Sequence, residues 1–497
     1  MQKLIRQYWL IILIWLFGLF FRCYRQSDLL GFYYDQGRDA KMASDIIHLR
    51  NFPAIGPTTG IQGIILGPFW YYFITPGYLI SGGDPVVASQ IMAFIESLTI
   101  ILLFYILKKY TNQKTAHTGA FIWSFGYYLI RSSRWFSNPT PIPLFALLII
   151  FFLIEVVKYK KFKFLPFVFL FLGLSLQLEA ASAIFFIPSI LLFAFINKKV
   201  FQKISFKYYL WSIFAFGILL LPQLAFELKN NFFVTRNILS FLSGKINTTT
   251  GSSWGIPSLG FIVNRLSLYY KILFSKLDTN VTNWSLLFLL IFVFGLVKKF
   301  KKIFFQDLLF QLSFIWLFVP LIILLFFQGN YGVLYDYYLT GFFIAFIILF
   351  SYCLNHIFDY HWIFIIAFVL LFLKLNLINT YYYLRAGTDG PENIVMGNIT
   401  QSLNYYCQQN KSTPINLDIY VPPYIPHSYE YLLGWYEEKG TCQRSYLSNS
   451  KEIVIIYEID LQQPNRLKKW LSDYDQKSTI IEKQNFGGVR AEKRFFK

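Results

Sequence analysis

The stretch GFYYDQGRDAKMASDIIHLR, residues 31–50, follows the first long apolar run of the chain and carries Asp35, Arg38 and Asp39 within five residues. Charged side chains are costly in hydrocarbon, so such a cluster marks a point where the chain leaves a bilayer, or a site at its edge. The surroundings decide. Of 497 residues, 56% are hydrophobic and only 14% charged, a balance that places the chain among integral membrane proteins. Apolar runs close to the roughly 20 residues needed to cross about 30 Å of hydrocarbon recur from residue 5 to residue 380. The fold class expected is therefore an all-α polytopic membrane protein.

The net charge of +19 raises the question of nucleic acid. The lysines, however, sit in four short loops between apolar runs: KKYTNQK, KYKKFKF, NKKVFQK and KKFKK. Lys and Arg are retained on the cytoplasmic side of a membrane, so these loops set orientation, and nucleic acid is excluded as a partner. Spans are expected near 5–21, 86–107, 116–130, 140–157, 208–226, 284–297, 308–327, 338–357 and 362–380. The run from Phe164 to Ile196 is too long for one crossing yet has lysines on both sides. It must cross twice or re-enter, which gives about eleven crossings and puts Glu179, in SLQLEAAS, at the outer face. The N-terminus is then cytoplasmic, residues 1–380 form the membrane domain, and 22–85 and 227–283 are outer loops. The segment IILGPFWYYFITPGYLI, rich in glycine and proline, lies at or dips into the outer face. Residues 381–497 turn polar and read as a small extracytoplasmic α/β domain, in which Cys407 and Cys442 are a candidate disulfide.

In this topology isolated polar groups collect at the outer ends: Asp35 and Asp39, Arg134 with Asn138, Gln177 with Glu179, Glu227, and Asp336 beside Tyr337. Asp35, Asp39, Ala43 and Ile47 follow an i, i+4 line on a short interfacial helix, so both carboxylates are expected to face inward. Desolvation there raises a carboxylate's proton affinity, while Arg38 pulls the other way. Asp35 also stands where a helix N-cap would, which is the structural alternative.

The motif YYDQGRDA at the start of the first outer loop, then GPTTGIQGIILGPFWYYFITPGYLISGGDP and SRWFSNPTPIPLF, resembles the GT-C glycosyltransferases. The likeness is to the dolichyl-phosphate-mannose–protein mannosyltransferase and aminoarabinose transferase-like superfamily, and covers roughly residues 1–230. Asp35 is followed by Gln36, where the eukaryotic protein mannosyltransferases carry an Asp-Glu pair; this weakens a protein hydroxyl as acceptor. The resemblance implies transfer with inversion of a hexose or pentose from a polyprenyl phosphate to a cell-envelope glycan, lipid or protein hydroxyl at the outer face of the plasma or inner membrane. It implies Asp35 as general base, with Gln36, Arg38, Asp39, Arg134, Asn138, Gln177, Glu179 and Tyr337 as substrate-binding candidates. A divalent cation, Mg or Mn, is possible through Asp35, Asp39 and Glu179. The alternatives are a lipid-linked-sugar flippase or other transporter, and an O-antigen polymerase or ligase-like enzyme.

Overall fold

The computed structural model describes residues 2–61, 63–243, 256–327, 334–357, 362–385, 392–412, 414–422, 425–445 and 450–497, so residues 244–255 of the expected 227–283 loop lie outside it. Each expected span is helical. Among the described residues, six helices are long and apolar enough to cross a membrane: Pro85–Tyr110, Ile142–Tyr159, Phe206–Lys229, Leu308–Phe326, Asp336–Ile357 and Ile363–Arg385. Tyr8–Cys23, Phe162–Leu178, Ala180–Ile196 and Asn283–Val297 are shorter apolar helices. The run expected near 116–130 divides into Gln113–Phe125 and Tyr127–Ser133, because Gly126 takes an extended backbone between them.

Polar residues set the boundaries. Asp84 accepts from Val86 N (2.8 Å), with Pro85 at the first helical position; Asn112 accepts from Thr115 N (2.9 Å), and Asp307 from Leu309 N and Phe310 N. Glu179, in an extended conformation, divides the long run 164–196 into two shorter apolar helices, Phe162–Leu178 and Ala180–Ile196.

The lysine-rich turns share one end of the bundle. Lys109 and Lys161, from two different turns, both pair with buried Glu155, at 2.5 and 2.7 Å. Asn197, in the third, donates to Gln311 Oε1 at 2.9 Å, and Gln311 in turn donates to Phe304 O beside the fourth.

The C-terminal unit closes the opposite end. Four strands, β1 (Asn416–Tyr420), β2 (Glu452–Glu458), β3 (Ser478–Phe486) and β4 (Val489–Phe496), run in the order β1-β2-β4-β3; β1 and β2 are parallel, the rest antiparallel. Alternation along β2 sends its side chains to two cores. Ile453, Ile455 and Tyr457 meet Leu467, Trp470 and Leu471 of the Pro464–Lys477 helix, whereas Val454 and Ile456 join the large core shared with the membrane unit. Cys407 and Cys442 are bonded and tie the Met396–Ser412 helix to the segment after His427–Glu438.

Close backbone approaches hold this unit to the bundle. Met396 N donates to Leu30 O (2.8 Å), the Tyr431 hydroxyl to Gly83 O (2.7 Å), and Trp435 Nε1 to Gly82 O (2.9 Å). Gly82 and Gly83 have φ of 61° and 91°, which suits only glycine well. At Gly37 a Cβ would lie 2.2 Å from Ser428 N, so the Tyr34–Ile47 helix touches the His427–Glu438 helix backbone to backbone. Gly37→Val should loosen this contact by about 1–3 kcal/mol. Limited proteolysis is expected to release the C-terminal unit faster in that variant, while Gly60→Val, with nothing within 4 Å of its Cβ, behaves as the parent.

Candidate functional site

The Tyr34–Ile47 helix begins with Tyr33 as its N-cap residue, and Gln36 Oε1 accepts from Tyr33 N at 3.1 Å. Gln36, a candidate for substrate, is thus buried and occupied in the helix start; Asp35 is in the first turn and is not the cap. The helix buries Gln36, Asp39, Ala40, Ala43 and Ile46. At roughly 100° per residue the centre of that arc passes near Gln36 and Ala43, which leaves Asp35 at its edge. The expectation that both carboxylates face inward is therefore corrected: the Asp35 side chain is 60% exposed and that of Asp39 only 4%.

Arg38 links the two. Its Nη1 lies 2.8 Å from Asp35 Oδ1, while Nε and Nη2 both reach Asp39 Oδ1, at 2.9 and 2.7 Å. The other Asp39 oxygen accepts from the indole Nε1 of buried Trp70 at 2.7 Å, and Tyr71 also bonds Arg38. Burial pushes the Asp39 carboxyl up to about 6 against the pull of Arg38 and of the Trp70 hydrogen bond. The desolvation expected of Asp35 thus falls on its neighbour.

Trp70 lies in the Phe69–Ile80 helix, whose first turn meets Gln177. Gln177 Oε1 accepts from Phe69 N (3.2 Å) and its Nε2 donates to Leu219 O (2.6 Å). A Cβ on Gly67 would come within 2.4 Å of the Gln177 side chain, which is why this segment needs glycine. Gln177 therefore brackets three segments. Two residues on, Glu179 is 9% exposed, accepts from Ala181 N (3.1 Å) and from Asn138, and is pushed up to about 7 by burial. Asn138 also donates to Leu178 O. The Glu179 carboxylate acts electrostatically on Tyr337 and Tyr338, and Ser182 Oγ accepts from Gly341 N (3.1 Å). Asn138, Glu179 and Tyr337 thus form one set of interactions and Asp35, Arg38 and Asp39 another, which Gln177 approaches through the backbone of Phe69, next to Trp70.

Arg134 goes elsewhere. Its Nη1 donates to the carbonyls of Phe21, Arg22 and Tyr24, at 2.8–3.1 Å, and Nε to the Tyr383 hydroxyl; it caps the end of the first helix and is 4% exposed. These bonds satisfy carbonyls orphaned at a helix C-terminus, while the buried Nη2 has no partner among the described residues. Glu227 caps the Phe233–Leu242 helix through Val234 N and Thr235 N.

Sequence reasoning passed over two other cations at this end. Lys276 is 1% exposed, pairs with Asp336 at 2.9 Å, and lies 4.2 Å from the Phe343 ring. Arg265, 1% exposed, donates to Phe327 O (3.1 Å) and acts electrostatically on Tyr338, and its buried Nε has no partner among the described residues. The signal was available: both are cations remote from the lysine-rich loops. Buried Glu96 and Arg22, within spans, were also passed over; Glu96 accepts from Thr99 at 2.7 Å and Arg22 donates to Ser133, Gly18, Ser124 and Trp123. Among the described residues no group of three or more His, Cys, Asp or Glu side chains could hold a metal ion, so Asp35, Asp39 and Glu179 do not form the ligand set considered for Mg or Mn.

Residues 66–226, about a third of the chain, match the model of the dolichyl-phosphate-mannose-protein mannosyltransferase family. In structure the chain is similar to ArnT from Cupriavidus metallidurans, solved bound to undecaprenyl phosphate, with a TM-score of 0.58, 10% identity and 98% of each chain covered. The apo form of that protein gives 0.55, 9% and 97% of each chain. The archaeal oligosaccharyltransferase AglB from Archaeoglobus fulgidus, in complex with an inhibitory peptide and a dolichol-phosphate, gives 0.50 and 13%, covering 98% of this chain and 74% of its own. At such identities the likeness is one of fold. No curated protein matches the chain.

Folded Asp39 holds its proton up to about pH 6, against an ordinary value of 3.8. Folding therefore takes up a proton in that interval, and the contribution of Asp39 to stability declines as pH rises from about 4 to about 6. Asp39→Asn should make this decline shallower in thermal unfolding of the detergent-solubilised protein; an unchanged slope would mean that other carboxyls carry it.

Proposed function

We propose that this chain, a member of the GT-C glycosyltransferase superfamily by its fold and by the family match over residues 66–226, transfers a sugar from a polyprenyl phosphate to an acceptor hydroxyl. The observation that carries the reading is the Asp35–Arg38–Asp39 clamp at the end of the bundle opposite the lysines. Asp35 is an exposed carboxylate whose position is held by a guanidinium, itself held by a buried carboxylate; it can meet an acceptor arriving from water without losing its orientation. In the reaction an acceptor oxygen attacks the anomeric carbon, Asp35 takes the hydroxyl proton, and the bond to the lipid phosphate breaks with its electrons on the phosphate oxygen. The configuration inverts.

Cations must stabilise the charge that develops on the departing phosphate. Arg38 is a poor candidate, since two carboxylates already outweigh its single charge. Arg265 and Lys276 suit the role better. Among the described residues Arg265 Nε has no partner in a buried setting, and Lys276 has one exposed carboxylate partner that can move aside. Asn138, Glu179 and Tyr337, which interact with one another, are proposed to contact the sugar. The lysine-rich end is proposed to be cytoplasmic, the C-terminal unit extracytoplasmic, and the donor a hexosyl or pentosyl polyprenyl phosphate.

The test is incubation of the purified full chain with polyprenyl-phosphate hexoses and pentoses, following release of free lipid phosphate. Asp35→Asn should lower turnover about 10²- to 10⁴-fold; unchanged turnover would remove Asp35 as base, and no release from any donor would remove glycosyl transfer. In the same assay Arg265→Gln should raise the KM for the donor roughly tenfold or more, with a smaller change in kcat.

A further inference from the structure

The first helix and the Pro85–Tyr110 helix run antiparallel, and the stretches Tyr8–Trp15 and Ile101–Lys108 face each other over roughly 10 Å. Between them lies a cavity of about 360 Å³, lined among others by Tyr8, Ile12, Trp15, Ile101, Tyr105 and Lys108. Its outer wall is open, with Ile12, Ile101 and Tyr105 each two-fifths or more exposed; on membrane-spanning segments that opening faces hydrocarbon. One end is polar. Lys108 Nζ donates to the Tyr8 hydroxyl at 3.2 Å and sits 4.2 Å from the Tyr8 ring.

The contrast with the next residue is informative. Lys109 is neutralised by Glu155, whereas Lys108 has no carboxylate partner among the described residues. An apolar groove ending in an uncompensated ammonium and a phenol hydroxyl complements one kind of membrane component: an acyl chain below an anionic headgroup. The donor does not fit, since the Lys108 end lies about 35 Å along the helix from the Asp84 end, where the clamp is. We propose that this groove binds one anionic phospholipid from the leaflet at the lysine-rich end, with an acyl chain against Ile12 and Ile101 and its phosphate on Lys108 and Tyr8.

The test is native mass spectrometry of the full chain after exchange into equal amounts of phosphatidylglycerol and phosphatidylethanolamine. One phosphatidylglycerol should be retained preferentially. Lys108→Gln should lower that preference about fivefold, Lys108→Arg should preserve it, and Ile101→Trp, which fills the groove, should reduce retention of both lipids. Lys207→Gln, an exposed lysine elsewhere, serves as the control and should match the parent. Equal retention of the two lipids by the parent, or unchanged retention in both Lys108→Gln and Ile101→Trp, would overturn the proposal. So would displacement of the bound lipid by polyprenyl phosphate.

Discussion

Asp39 is a carboxylate with almost no contact with water, and such a group persists only if every oxygen has a partner. Arg38 takes one oxygen and Trp70 the other. Because Trp70 belongs to the next helix and Arg38 also reaches the exposed Asp35, this single buried group joins two helices and, through Arg38, orients Asp35. Removing Arg38 would leave a buried charge uncompensated, which is costlier than never having buried it. The Tyr34–Ile47 helix is thus pinned on one face by electrostatics, and at Gly37 by direct contact with the C-terminal unit.

Much of the architecture was legible because long apolar runs admit few alternatives in a bilayer. The length of 164–196 is too great for one crossing, and the helix breaks at Glu179. The lysine-rich loops do gather at one end, through Glu155 and Gln311. The last span runs to Arg385 and so passes the expected border at 380, since the tyrosines there continue the helix. What stayed hidden is long-range. Whether Asp35 or Asp39 turns inward depends on where Trp70 and Ser428 press on the helix, and neither is near it in sequence. That Arg134 meets three backbone carbonyls at the end of another helix left no trace in composition. Lys276 and Arg265 were overlooked for a related reason: they lie within the long expected loop 227–283, and only folding brings them toward Tyr338 and Asp336.

The two ends of the bundle treat charge differently. At the lysine-rich end buried Glu155 collects two cations, Lys109 and the half-exposed Lys161, which fixes the packing of two turns. At the other end, pairs are left open on one side: Asp35 is largely exposed while its partner Arg38 is mostly buried, and Asp336 is half exposed while Lys276 is buried. A half-exposed pair contributes little to stability, because water screens it and competes for the exposed partner. Its value lies in holding a charge in place at a surface a substrate can reach.

This asymmetry explains why the buried carboxylate is the poorer candidate for proton transfer even though its proton affinity is the one raised toward neutrality. Affinity alone suits a base, but a base must also touch the proton it removes. Both oxygens of Asp39 are already engaged by an indole and a guanidinium, and its side chain is almost fully buried. Asp35 has an oxygen outside its ion pair and a side chain open to solvent. The division of labour follows from one turn of helix: the residue that faces inward fixes Arg38, Arg38 fixes Asp35, and Asp35 remains the one carboxylate of the three groups that an incoming hydroxyl can meet.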